Sequence, residues 1–110
     1  MMNRGRQSMR YLGGLRGAGT LRVGATDVAP AEYELDGYAV PPAGVVSSGE
    51  IRTTPEVLRK VFGRRDLVLV TENGRALSFR FSDKKLTAGD DAAHIDVTGG
   101  LPEAKNWRAA

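Results

Sequence analysis

The sequence predicts an all-β, mainly antiparallel fold: a small six-stranded barrel or rolled sheet with one short α-helix packed on it. A two-sheet β-sandwich is the alternative. Three observations predict it. Residues 66–82 carry two β-rich runs around Asn73-Gly74, a dipeptide suited to a tight hairpin turn. Four further runs alternate with the two-residue period of a half-buried strand. A single segment, 54–63, has helical spacing with a start and a stop signal of its own.

The hairpin organises the rest. With Glu72 set against Arg75 across a two-residue turn, Val70 opposes Leu77 and Val68 opposes Phe79. Phe81 extends that face. Leu67 and Leu69 fall on the other face, so the first strand is apolar on both sides and needs cover on its second face.

Taken in order, residues 1–19 hold five glycines and little apolar periodicity. They read as a flexible basic N-terminal arm, with a short strand near Met9–Leu12, ahead of a single small β-rich domain at 20–110. Met1, Met2 and Met9 can each serve as a translation start. Thr20–Ala25 alternates with Leu21, Val23 and Ala25 inward, and Asp27–Pro30 has turn chemistry. Glu32–Val40 is the next strand, with Tyr33 and Leu35 inward. Pairing Val23 with Tyr33 sets Arg22 against Glu34, and Gly37 marks a bulge or bend. Pro41-Pro42 ends that strand and Val45–Arg52 forms the third.

Thr54-Pro55-Glu56 then supplies an N-cap, a proline for the first helical position and an acid in the first turn. Val57, Leu58, Val61 and Phe62 make one stripe, which covers Leu67 and Leu69, and Gly63 stops the helix. After the hairpin, Asp83–Asp91 is a polar loop and Ala92–Thr98 the last strand, with Ala93, Ile95 and Val97 inward. Trp107 in the tail docks on the body.

Composition excludes several classes. The 110 residues make one domain. Without cysteine there is no disulfide scaffold, thiolate zinc site or cysteine nucleophile; the cytoplasm is the expected compartment. No apolar run approaches a membrane span, and the basic N-terminus lacks the apolar stretch of a secretory signal. Net charge is +3, but residues 1–22 carry five arginines and no acid, whereas the remaining chain has 11 basic and 13 acidic residues. Arginine outnumbers lysine twelve to four, a bias that a high-GC bacterial genome also produces.

Two basic groups are candidate anion or nucleic-acid contacts. Arg4, Arg6 and Arg10, with Arg16-Gly17 behind them, have the arginine–glycine character of segments that meet phosphate backbones. Arg59, Lys60, Arg64 and Arg65, near Arg52, form the second. They also complement the helix dipole and act as charged gatekeepers beside the Leu67–Val70 run.

Arg6-Gln7-Ser8-Met9-Arg10 ahead of a barrel resembles the first half of the PilZ-domain signature, which in that family implies cyclic di-GMP binding. Its second half, Asp/Asn-x-Ser-x-x-Gly, has no counterpart. The nearest stretch, Val45-Val46-Ser47-Ser48-Gly49, lacks the Asp or Asn and places its glycine one residue early, so the resemblance is not adopted.

His94 shares an outward face with Asp96, a geometry in which a carboxylate orients an imidazole, with Ser78 or Thr98 as the nearest hydroxyl candidates. No nucleophile elbow, phosphate-cradling loop or calcium-loop spacing accompanies it. The expectation is a non-catalytic binding or interaction domain with no cofactor. Its partner is unidentified: a protein, or a phosphate-containing ligand bound through the basic groups.

Overall fold

The computed structural model describes residues 9–42 and 44–107. Six antiparallel strands close into a barrel: β1 (Arg10–Val23), β2 (Thr26–Val40), β3 (Gly44–Arg52), β4 (Leu67–Val70), β5 (Ala76–Phe81) and β6 (Ala92–Gly99). Their order around the wall is β1-β2-β3-β6-β5-β4. One helix, α1 (Pro55–Val61), links β3 to β4, and a 3₁₀ turn at Ala104–Asn106 precedes Trp107. The barrel and the single helix agree with the fold that the sequence predicts, and the sandwich is set aside.

Helix α1 begins as its sequence dictates. Thr54 caps it, its hydroxyl accepting the Val57 N–H at 3.3 Å, and Pro55 occupies the first turn. Gly63, at φ +84, carries the chain out of it. Leu58 and Val61 are buried, and Val61 joins Leu21, Leu35, Ile51, Leu67, Leu69, Leu77 and Ile95 in one core cluster. Each such side chain contributes about 1.5–3 kcal/mol of apolar burial before entropy is counted.

The hairpin forms in a different register. Leu67 pairs with Phe79, Leu69 with Leu77 and Val70 with Ala76. The connection is a three-residue loop, Glu72-Asn73-Gly74, closed by the Thr71 N–H on the Arg75 carbonyl at 2.8 Å. Within it Gly74 donates to the Thr71 carbonyl at 2.9 Å. Only Gly74 takes a positive φ, +87, so Asn73 does not join it in a two-residue left-handed turn. Thr71 is buried, its hydroxyl accepting the Arg75 N–H at 3.1 Å and meeting the Asn73 side chain. The one-residue slip reverses the first strand's faces. Leu67 and Leu69 enter the barrel beside Leu77 and Phe79, while Val68 and Val70 are half-buried outside.

The N-terminal boundary moves as well. Residues 10–19 are not a flexible arm: they are the first part of β1, paired with β2 from Arg10↔Ala39 to Gly19↔Ala31. Arg4 and Arg6 lie outside the described residues. The β1–β2 turn is Gly24-Ala25, with Gly24 at φ +61, and Asp27–Pro30 is strand. Arg22 therefore faces Asp27, and Arg16 rather than Arg22 faces Glu34. The Arg22 Nε sits 2.8 Å from the Asp27 carboxylate in a poorly aligned, ionic contact. The bulge opposite Gly37 belongs to β1, where Leu12 is the extra residue between the Tyr11 and Gly13 pairs.

Glycines let the wall fold this tightly. A Cβ on Gly49 would lie 2.1 Å from the Glu34 carbonyl oxygen, and one on Gly19 would lie 2.2 Å from that of Val70.

Candidate functional site

Pairing around the barrel is uneven. β1 meets β4 only over Thr20–Val23, and β3 meets β6 only over Ser48–Arg52. β1, β2 and β3 therefore run on past the closed wall as a three-stranded wing built from Arg10–Gly13, Gly37–Val40 and Gly44–Ser47. The molecule is accordingly elongated, 52 × 29 × 23 Å.

The wing's inner face is covered. The Trp107 ring lies on Gly37, and its Nε1 donates to the Pro102 carbonyl at 3.1 Å; Trp107 is buried. Ser47, also buried, donates to the Asp36 carbonyl at 2.8 Å.

The outer face is open. Tyr11 pairs with Tyr38 and Tyr38 with Val46, so the three form one cross-strand row. The two rings meet edge-on with centroids 5.5 Å apart. Tyr11 is 45% exposed and Val46 39%, and Met9, next to the row, is 58% exposed. Partial loss of hydration, then the hydrogen bond from the Tyr11 hydroxyl to Asp36 at 3.1 Å, raise the Tyr11 pKa above that of an ordinary phenol.

Beyond the wing the wall stays split between β1 and the β4–β5 loop. A cavity of about 370 Å³ opens there, lined by Leu15, Arg16, Tyr33, Glu72, Arg75 and Asn106 among others. At Gly17 the loop closes the gap. A Cβ on Gly17 would sit 2.5 Å from the Glu72 carboxylate and 2.8 Å from the Tyr33 hydroxyl.

Among the described residues, Arg10 and the Arg59, Lys60, Arg64 and Arg65 group do not converge. Arg10 starts β1, whereas Lys60 lies beside Val23, at that strand's other end. Thirteen strand steps separate those ends, roughly 40 Å of β-structure. Arg64 is tied to Asp66 by two contacts at 3.0 and 2.9 Å, which hold the carboxylate below its ordinary pKa. Arg52 bridges Glu50 and Asp91. Among the described residues Arg59, Lys60 and Arg65 make no ion pair, and all three are exposed.

His94 lies nearest a different carboxylate than the one expected. Its Nδ1 is 3.9 Å from Asp83, which also accepts the His94 backbone N–H at 3.1 Å, while Asp96 pairs with Arg80. This binds the β5–β6 loop to the start of β6.

Sequence reasoning missed the Tyr11–Tyr38–Val46 row because the glycines around it read as loop. The available signal was the tyrosine in each segment, Tyr11 beside Leu12 and Tyr38 two residues before Val40. Among the described residues no cluster of metal-binding side chains occurs, and no helix is long and apolar enough to cross a membrane. No family model, curated protein or solved structure matches the chain.

Proposed function

We propose that the chain is a non-catalytic interaction module, working in the cytoplasm, that binds a protein partner on the outer face of the wing. One observation carries this reading: Tyr11 and Val46, both exposed, flank the half-buried Tyr38 in one cross-strand row on a projecting sheet. Exposed aromatic residues concentrate binding energy in protein interfaces. The barrel interior is filled by leucine, isoleucine and phenylalanine side chains, so recognition belongs to the surface.

The test is site-specific photo-crosslinking in cells, with the reactive side chain placed at 11, at 46, or at 80 on the far wall. The expected result is one shared adduct from positions 11 and 46 and none from 80. Adducts of equal yield from all three positions, or none from any, would remove the proposal.

A second reading, anion or nucleic-acid binding through Arg59, Lys60 and Arg65, is favoured by the absence of ion-pair partners for these residues among the described ones. It requires oligonucleotide binding that weakens steeply with salt and is lost in an Arg59→Glu, Lys60→Glu variant.

A further inference from the structure

We propose that the cleft between β1, the β4–β5 loop and the C-terminal tail binds a small zwitterion of the amino-acid class, its ammonium on Glu72 and its carboxylate on Arg75. The site is separate from the outer face of the wing and does not depend on it.

The cleft exists because β1 pairs with β4 only from Thr20 onward. Its cavity, about 370 Å³, falls within the range of small-molecule sites. Glu72 and Arg75 both line it, from the two shoulders of one hairpin loop. Opposite charges so placed ordinarily meet, yet among the described residues neither makes an ion pair. Each is drawn to a different wall. The Glu72 carboxylate rests on β1, 2.5 Å from where a Cβ on Gly17 would stand. The Arg75 guanidinium turns to the tail and donates to the Gly100 carbonyl at 3.0 Å, which leaves most of its donors unspent. Both side chains are exposed, so an incoming molecule reaches them.

The rest of the lining fits a small polar ligand. Tyr33 is only 7% exposed, and its hydroxyl lies at the Glu72 end, where it accepts the Glu72 N–H at 3.4 Å. Among the described residues the hydroxyl's own proton has no acceptor. Buried hydroxyls normally find partners for both roles. With its proton turned to Glu72, this one accepts from a bound ammonium. Asn106 adds an amide from the tail, and Leu15 and Pro102 add apolar surface for a side chain.

Charge selects the ligand class. Glu72 opposes a simple anion such as phosphate, and Arg75 opposes a simple cation. Arg16, at the rim, is taken up by Glu34 at 3.1 Å. A molecule with one charge of each sign satisfies both walls, and each contact is a charge-assisted hydrogen bond.

The experiment follows backbone amide shifts of the isotopically labelled full chain during titration with L-leucine and with γ-aminobutyrate, whose charges lie further apart. N-acetyl-leucine keeps only the carboxylate and stands for a peptide C-terminus. Leucinamide keeps only the ammonium and stands for an N-terminus. The expected result is saturable shifts at Gly17 and across Glu72–Arg75 with at least one zwitterion, and binding weaker by about tenfold or more with both singly charged compounds. Glu72→Gln and Arg75→Gln should each weaken zwitterion binding by about tenfold, with the Leu21 and Ile51 amides reporting an intact barrel. No saturable shift with either zwitterion overturns the proposal. So does equal binding of N-acetyl-leucine or leucinamide, which would assign the cleft to a peptide end, or full binding retained by either variant. Shifts confined to Tyr11, Tyr38 and Val46 also overturn it, because they would place leucine on the wing by its side chain alone.

Discussion

The Trp107 ring occupies the place where residue 37 would carry a side chain: a Cβ on Gly37 would lie 2.5 Å from the ring carbons Cη2 and Cζ3. The contact ties the C-terminal tail to the inner face of the wing, and the Nε1 bond to Pro102 fixes the ring's orientation. A rigid indole cannot yield as a flexible side chain does.

Gly37→Ala should therefore destabilise the fold by about 1–3 kcal/mol and displace the ring. Trp107→Ala should cost about 3–5 kcal/mol, the usual range for emptying a buried aromatic site. The double variant should cost clearly less than the two combined, because each change removes the other's contact. Trp107 is the sole tryptophan, so urea unfolding followed by its emission reports ring exposure directly in the Gly37→Ala protein. An unshifted emission maximum together with unchanged stability would refute the contact.

Gly49 offers a sharper steric test, since its missing Cβ is replaced by backbone. Gly49→Ala would press a methyl group to 2.1 Å from the Glu34 carbonyl oxygen, and β2 and β3 would have to part locally. A loss of about 1–3 kcal/mol or more is expected. Gly99→Ala is the control: its Cβ would approach only the Ser78 side chain, at 3.8 Å. Equal effects of the two changes in chemical denaturation would show that the wall is looser than described.

Much of this architecture was legible because local signals agreed. Thr54, Pro55 and Gly63 bounded α1, and alternation found the inward residues Leu21, Tyr33, Leu35, Ala93 and Ile95. Register was less legible. Asn73-Gly74 fits a two-residue turn by propensity, but burial of Leu67 and Leu69 inside the barrel outweighs it and adds one residue to the loop. The glycine-rich stretch from Gly13 to Gly19 read as flexible because glycine usually weakens strands. Here Gly17 and Gly19 admit the Glu72 side chain and the Val70 backbone, contacts created only when distant segments meet. The candidate site was illegible for the same reason. Tyr11, Tyr38 and Val46 become a row through two strand pairings, and Arg10 and Lys60, from the two basic groups, are placed at opposite ends of β1.

The loop itself distinguishes the two turns. Gly74 alone has a positive φ, so Gly74→Ala should cost about 1 kcal/mol from backbone strain. Asn73→Ala should cost only the bond it makes with Thr71, about 0.5–1.5 kcal/mol, and close to nothing once Thr71→Val has removed that bond. A left-handed Asn73 would instead make the two substitutions comparably costly through the backbone. That outcome, seen in paired urea titrations with Thr71→Val as the background, would restore the two-residue turn.

The Arg64–Asp66 pair sets a pH dependence with a definite sign. The Asp66 carboxylate accepts two guanidinium contacts, and its folded-state pKa lies below its ordinary value of 3.8. In the window between the folded and unfolded values the unfolded chain binds more protons, so stability rises with pH. The contribution is complete above the unfolded value and disappears as pH falls through the folded one. The pair is exposed, so its share of stability is small and screened by salt. Asp66→Asn should be slightly less stable than the wild type near neutral pH, with the difference shrinking below about pH 4 and vanishing as the pH falls through the lowered folded-state pKa. Urea midpoints of both proteins across that range provide the check. A difference that stays constant from neutral to strongly acid solution would mean that Asp66 acts through the β1–β2 turn, where its backbone carbonyl accepts the Gly24 N–H at 2.7 Å, and not through its charge.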